Sequence, residues 1–115
     1  MRVLASSVLA VTGLLSFAAS ACQDAPAVSA IPDGATATEA QMVAARTEIT
    51  AYMTAMENFL VCLEDELDAK GAAAPAEYKE LMATRIVAGD DERTRVAEAF
   101  NEALQAFRKA NPRPN

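Results

Sequence analysis

From Thr38 to Lys70 the chain runs 33 residues without a glycine or a proline. Within that stretch Met42, Ile49, Met56 and Leu63 recur every seven residues. Tyr52 and Phe59 follow Ile49 and Met56 by three, while Met53, Leu60 and Leu67 follow Ile49, Met56 and Leu63 by four. A spacing of three and four places all of them on one broad face of an α-helix, whereas a strand would need alternation by two. The pattern predicts a helix over 38–70. Gly71 supplies a C-terminal stop, and the small residues 72–74 with Pro75 supply a short connection.

A second apolar stripe follows: Tyr78, Met82 and Ile86, then Val96, Phe100, Ala103 or Leu104, and Phe107, closed by Asn111 and Pro112. Gly89-Asp90-Asp91 interrupts it and reads locally as a stop followed by a new N-cap. The stripe nevertheless keeps one phase through positions 82, 86, 89, 93, 96 and 100, which a true break has no need to preserve. The expectation is therefore one helix over 75–109. A second helix broken near Gly89, giving three helices, is the alternative. At ~1.5 Å per residue both helices are about 50 Å long. Two long helices of matched length with a short link make an all-α antiparallel helical hairpin with coiled-coil-like spacing.

The segments before this hairpin have a different character. Arg2 is followed by an uncharged run to Ala21, most apolar at residues 8–15 and ending Ala19-Ser20-Ala21. A positive start, a short apolar run and a small-residue end are the parts of a secretory signal peptide over 1–21. The apolar run is too short and too diluted by Ser, Thr and Gly to span a membrane well. Residues 22–37 carry Pro26, Pro32 and the turn signal Pro32-Asp33-Gly34, so they read as an extended Pro/Ala-rich arm. Thr36 with Glu39 makes a capping-box pattern, and Thr38 is a second N-cap candidate. The expected organisation is signal peptide 1–21, arm 22–37, hairpin domain 38–110 and a disordered tail 111–115.

Export brings a disulfide-permissive compartment, and the chain has two cysteines. Pairing Cys22 with Cys62 has a geometric test. The 26 residues from Thr36 to Cys62 cover about 39 Å of helix. The 14 residues from Cys22 to Thr36 reach at most ~46 Å when extended. The pairing therefore requires the arm to double back along the first helix, laying Ala25, Pro26, Val28, Ile31 and Pro32 in the hairpin groove. Two other fates stay open: cysteines that are unpaired or paired between molecules, and lipidation. Cys22 follows a cleavage-like site and is a lipidation candidate, although Ala19 stands where a lipobox has Leu, and Cys62 would then be a free thiol. Lipidation would make the protein an outer-membrane lipoprotein.

The chain has no histidine. That removes His-based triads, imidazole metal ligation and the usual neutral-pH general base. A two-helix hairpin also offers little concave surface for a carboxylate pair to work in. Neither a catalytic residue nor a cofactor or metal is expected, so the chain reads as no enzyme. With 16 acidic and 10 basic residues the net charge is −6, which disfavours nucleic acid as a partner. Removal of residues 1–21 leaves nine bases and a charge of −7. Residues 22–69 hold nine acids and one base, and residues 70–115 hold seven acids and eight bases, so the two helices are electrostatically complementary. Glu64, Asp65, Glu66 and Asp68 cluster at the end of the first helix as a candidate cation or partner patch. Their ordinary reading is a solvated end, balanced by Lys70 and by Lys79 across the hairpin. The methionines and aromatics of the two stripes read as core, with an adaptable partner-binding surface as their functional alternative.

The run Pro32-Asp33-Gly34-Ala35-Thr36-Ala37-Thr38, then Cys62-Leu63, then Ala99-Phe100-Asn101 with Leu104 and Phe107-Arg108, resembles a group of small exported α-helical proteins of Gram-negative bacteria. The resemblance spans most of residues 32–109. It implies a cysteine ahead of the Pro-Asp-Gly turn, matched by Cys22, and a helix cysteine, matched by Cys62. It implies no catalytic or binding residue. The expected function is a non-enzymatic, exported protein, periplasmic or secreted, with a structural or protein-interaction role. Self-association is included, with no transmembrane helix after signal removal and membrane contact only through a lipid on Cys22. A holdase-like periplasmic stress chaperone is the alternative.

Overall fold

The computed structural model describes residue 22 and residues 24–114, so the signal-peptide reading of 1–21 lies outside the described residues. Two helices account for the regular structure, α1 over Glu39–Lys70 and α2 over Ala76–Ala110. They pack side by side as the antiparallel hairpin that the two stripes predict.

The start of α1 differs in one detail from the sequence reading. Thr38, not Thr36, is the N-cap: its hydroxyl accepts from the Gln41 N–H, and the Gln41 side chain accepts from the Thr38 N–H. Thr36 is spent one turn earlier, in the tight turn at Asp33, where the Asp33 carbonyl accepts from the N–H groups of Thr36 and Ala37. Asp33 Oδ1 also accepts from the Ala35 N–H at 3.0 Å, the local side-chain bond that makes Asp a turn former. At the other end Gly71 adopts φ 67°, a left-handed value that glycine tolerates. Its N–H is donated to the carbonyls of Leu67 and Asp68, closing the helix. Pro75 occupies the N-cap position of α2, its fixed φ suited to helix entry.

Helix α2 runs unbroken through Gly89, and the preserved phase has a packing cause. Gly89 is buried against α1. A Cβ at this position would lie 2.7 Å from Leu60 Cδ2. The glycine lets the two helices close over the bulk of Leu60 and Met56, so it is a contact residue within the helix and not a stop.

The main core joins Ile49, Tyr52, Met56, Phe59, Leu60 and Leu63 of α1 to Met82 and Val96 of α2, with Cys22 buried among them. Met56, Leu63, Met82 and Val96 are the most completely buried side chains. The arm supplies a third layer. Residues 24–33 have no regular structure, yet Val28 and Ile31 pack on the core, with Pro26 and Pro32 half-buried. The arm thus runs back along the hairpin as the reach argument requires. Ala25 is the exception, being exposed.

Gly34 completes the arm by direct contact with the α2 backbone. A Cβ there would lie 1.7 Å from the Ala103 carbonyl oxygen and 2.9 Å from the Phe107 nitrogen. No side chain fits that gap. The turn docks on the small, buried Ala103 only because position 34 has no Cβ.

Candidate functional site

The staple comes first, because it decides what the rest of the surface is. Cys22 and Cys62 Sγ atoms lie 2.09 Å apart with their Cα atoms 5.7 Å apart, a disulfide between residues 40 apart in sequence. A sulfur in this bond cannot also carry a thioether lipid, so disulfide and lipidated Cys22 are mutually exclusive forms. Neither cysteine is a free thiol here, which leaves no sulfur nucleophile.

The acidic patch does not converge. Glu64, Asp65 and Asp68 are exposed, while Glu66 turns toward α2, where its Oε1 accepts from the Tyr78 hydroxyl at 3.5 Å. Partial desolvation, then the Glu66 charge and hydrogen bond, hold the Tyr78 hydroxyl above its ordinary pKa. Among the described residues no group of His, Cys, Asp and Glu is arranged to hold a metal ion. Lys70 Nζ sits over the Tyr78 ring at 5.6 Å. Lys79 donates to the Ala72 carbonyl at 3.0 Å and ties down the connection.

Charge complementarity between the helices takes a form that sequence counting does not show. Arg93 pairs with Asp90, and Arg95 pairs through two nitrogens with Glu92, both on their own helix. These bonds pull the Glu92 carboxyl below its ordinary value, the Arg95 hydrogen bond being the larger cause. Across the hairpin the cations meet aromatic faces, Arg85 over Phe59 at 5.7 Å and Lys70 over Tyr78.

Three surfaces outside the core bear apolar side chains, the third being the outer face of α2 with its exposed Leu81 and Val87. The first is the outer face of α1. Val43 and Val61 are 59% and 48% exposed and stand 18 residues apart, five full turns, so they share one face. Between them lie Arg46, Thr47, Thr50, Ala51, Thr54, Ala55 and Asn58, so Arg46 puts one charge on this face. The hydroxyls of Thr47, Thr50 and Thr54 donate back to carbonyls four residues earlier, at 3.2, 2.8 and 3.3 Å. Bonded this way, each hydroxyl has used its one donor and keeps only acceptor capacity, beside the threonine methyl groups.

The second surface is a groove of about 1020 Å³ at the open end of the hairpin, where α1 begins and α2 ends. Met42, Val43, Phe100, Leu104 and Phe107 make it apolar, and Arg46, Arg108 and Arg113 line it with a single acid, Glu39. Arg46 is the one base in residues 22–69. Phe100, Phe107 and Met42 were read from sequence as core. Met42 is buried, but apart from the main core, and the two phenylalanines are half-buried. Arg46 and Arg113 carry no sequence signal of their own; the groove exists only because the fold brings residues about 60 positions apart to one place.

No helix among the described residues is long and apolar enough to cross a membrane. No family model, curated protein or solved structure matches the chain.

Proposed function

We propose that the protein is a non-enzymatic, exported helical hairpin with a structural or protein-interaction role, exercised through the outer face of α1. The observation that carries this reading is the strip from Val43 to Val61, left outside the core, with exposed valines, threonine methyls and Arg46 as its charged member. Support also comes from the arithmetic of the core. Residues 22–115 hold 46 hydrophobic side chains, 22 of them alanine, a small stock of large ones for a free-standing domain. The disulfide suits an oxidising compartment, periplasmic or secreted.

The first partner is a second copy. An antiparallel two-fold pairing centred on the middle of the strip sets Val43 of one copy at the level of Val61 of the other, twice over. It also places Arg46 near the level of Glu57. Such self-complementarity is what an isologous dimer needs. The test is the mass of oxidised protein starting at Cys22, measured by sedimentation equilibrium at micromolar concentration. A dimer that Ala51→Glu or Val61→Glu converts to monomer supports the reading. A strict monomer removes it, and if that monomer suppresses client aggregation at about pH 3 but not at pH 7, the holdase reading replaces it.

A further inference from the structure

We infer that the groove at the open end is a binding site for a single-chain anionic amphiphile, a carboxylate head on a medium-length alkyl tail. The groove shares Val43 and Arg46 with the α1 face proposed for pairing, so the experiment below separates the two.

The charge pattern identifies the head group. The chain as a whole is acidic at −6, and α1 carries one arginine. That arginine, Arg46, meets Arg108 and Arg113 around one groove, opposed there by Glu39 alone. An excess of positive charge beside an apolar surface is a local reversal of the molecule's overall field. A cationic or neutral ligand gains nothing from it, whereas an anion is attracted and is bonded by guanidinium forks matched to a carboxylate.

The walls identify the tail. Phe100, Leu104 and Phe107 stand at helical spacing on α2, facing Met42 and Val43 of α1. Phe100 packs on the main core, which ends there: Met42 is 5% exposed yet lies outside the core cluster, and Leu104 and Phe107 remain half-buried. From Phe100 to Arg108, where the head group sits, the α2 wall is about 12 Å long. At roughly 1.3 Å advance per carbon, from C–C bonds of about 1.5 Å, that length takes about nine carbons of a medium-length tail. Methionine and phenylalanine are also walls that adapt to a flexible tail without a fixed register. The arm does not compete for the space, since its turn is seated on Ala103 through Gly34. In the bound arrangement the tail lies along Leu104 and Phe107, and the carboxylate accepts from Arg108 and Arg113 at the solvent edge.

The experiment is calorimetric titration of oxidised protein beginning at Cys22 with sodium dodecanoate below its micellar range. Dodecyltrimethylammonium and dodecyl maltoside serve as probes with the same tail and a different head. Micromolar binding of dodecanoate is expected, weakened by about tenfold or more when the head is cationic or neutral. Arg108→Glu with Arg113→Glu should weaken it by about tenfold while leaving the melting temperature unchanged, because both side chains are exposed. Methyl shifts of Met42 and Leu104 should move with dodecanoate and not with acetate. The titration is repeated on Val61→Glu, which abolishes the proposed pairing without touching the groove. Loss of dimerisation with binding retained separates the two readings. Equal affinity for the cationic probe, unchanged affinity in the double arginine variant, no heat up to about 1 mM, or binding to anionic phospholipid vesicles alone each overturns the inference.

Discussion

The hairpin has a sealed middle and an open end, built from the same two helices with the same residue spacing. In the middle, Met56, Leu63, Met82 and Val96 are almost wholly buried because a third layer, the arm, lies over the seam and is held by Cys22–Cys62. At the open end the arm has already turned away at Gly34 into α1, and the same stripe, now Met42, Leu104 and Phe107, lines a groove. A helical stripe therefore does not by itself specify core. Two helices bury one face of each other incompletely, and what covers the remaining edge decides whether a given residue is interior or surface.

The strongest way to break this contrast is to release the third layer. Cys62→Ser should cost about 4 kcal/mol, as the chain-entropy model gives for a loop of this length. The midpoint of urea unfolding should fall accordingly. Amide exchange should also rise across residues 24–33 before it rises in the helices.

A second test sets the two contact glycines against each other. Gly34→Ala forces a Cβ into the Ala103 carbonyl, which belongs to a helix backbone and cannot yield. The turn must lift off α2, at about 3 kcal/mol. Gly89→Ala meets only the end of the flexible Leu60 side chain, and it gains helix propensity of about 1 kcal/mol. Its melting temperature should stay close to that of the parent.

Within the sealed middle, the buried Tyr52 hydroxyl has no hydrogen-bond partner. Tyr52→Phe keeps the ring and removes the orphan, so it should stabilise the protein by about 1 kcal/mol. Burial, then the Glu92 charge, raises the Tyr52 pKa above 10.0. The unfolded phenol ionises first, so this contribution is fully present below pH 10 and is lost as pH rises through the higher folded value. Alkaline melts of the parent should show the loss, and Tyr52→Phe should lack it.

The smallest effect belongs to the exposed Glu92–Arg95 pair. The folded carboxyl titrates below its ordinary value of 4.5. Its contribution is present above that value and is lost as pH falls through the lower folded one. Replacing Arg95 with Gln should flatten the acid side of the stability profile slightly. The effect should shrink further in high salt, as for any solvent-exposed pair.

Much of the architecture was legible from residue order, and particular residues show why. The run from Thr38 to Lys70 has one helical reading, since nothing in it breaks a helix and its apolar residues share a face. The phase held across Gly89 made α2 continuous despite a local stop signal. The length of residues 22–36 set against the rise of α1 required the arm to double back if Cys22 was to reach Cys62. Periodicity and chain reach are properties of covalent geometry, so they can be read without knowing the neighbours.

Other features depend on neighbours and were decided only in three dimensions. Thr38 displaced Thr36 as the N-cap because Asp33 drew Thr36 into its own turn. Gly34 looked like a turn glycine, and its larger role, letting a loop touch the Ala103 backbone, appears only with α2 in place. The groove joins Arg46 to Arg108 and Arg113 across most of the hairpin domain, and no local pattern anticipates it. The sequence alone determined the helices and their pairing, and the course of the arm only on condition that Cys22 joins Cys62, since each follows from spacing along one chain. Tertiary structure decided which part of a uniform apolar stripe became interior and which became a charged-rimmed surface, because burial depends on what lies across the gap.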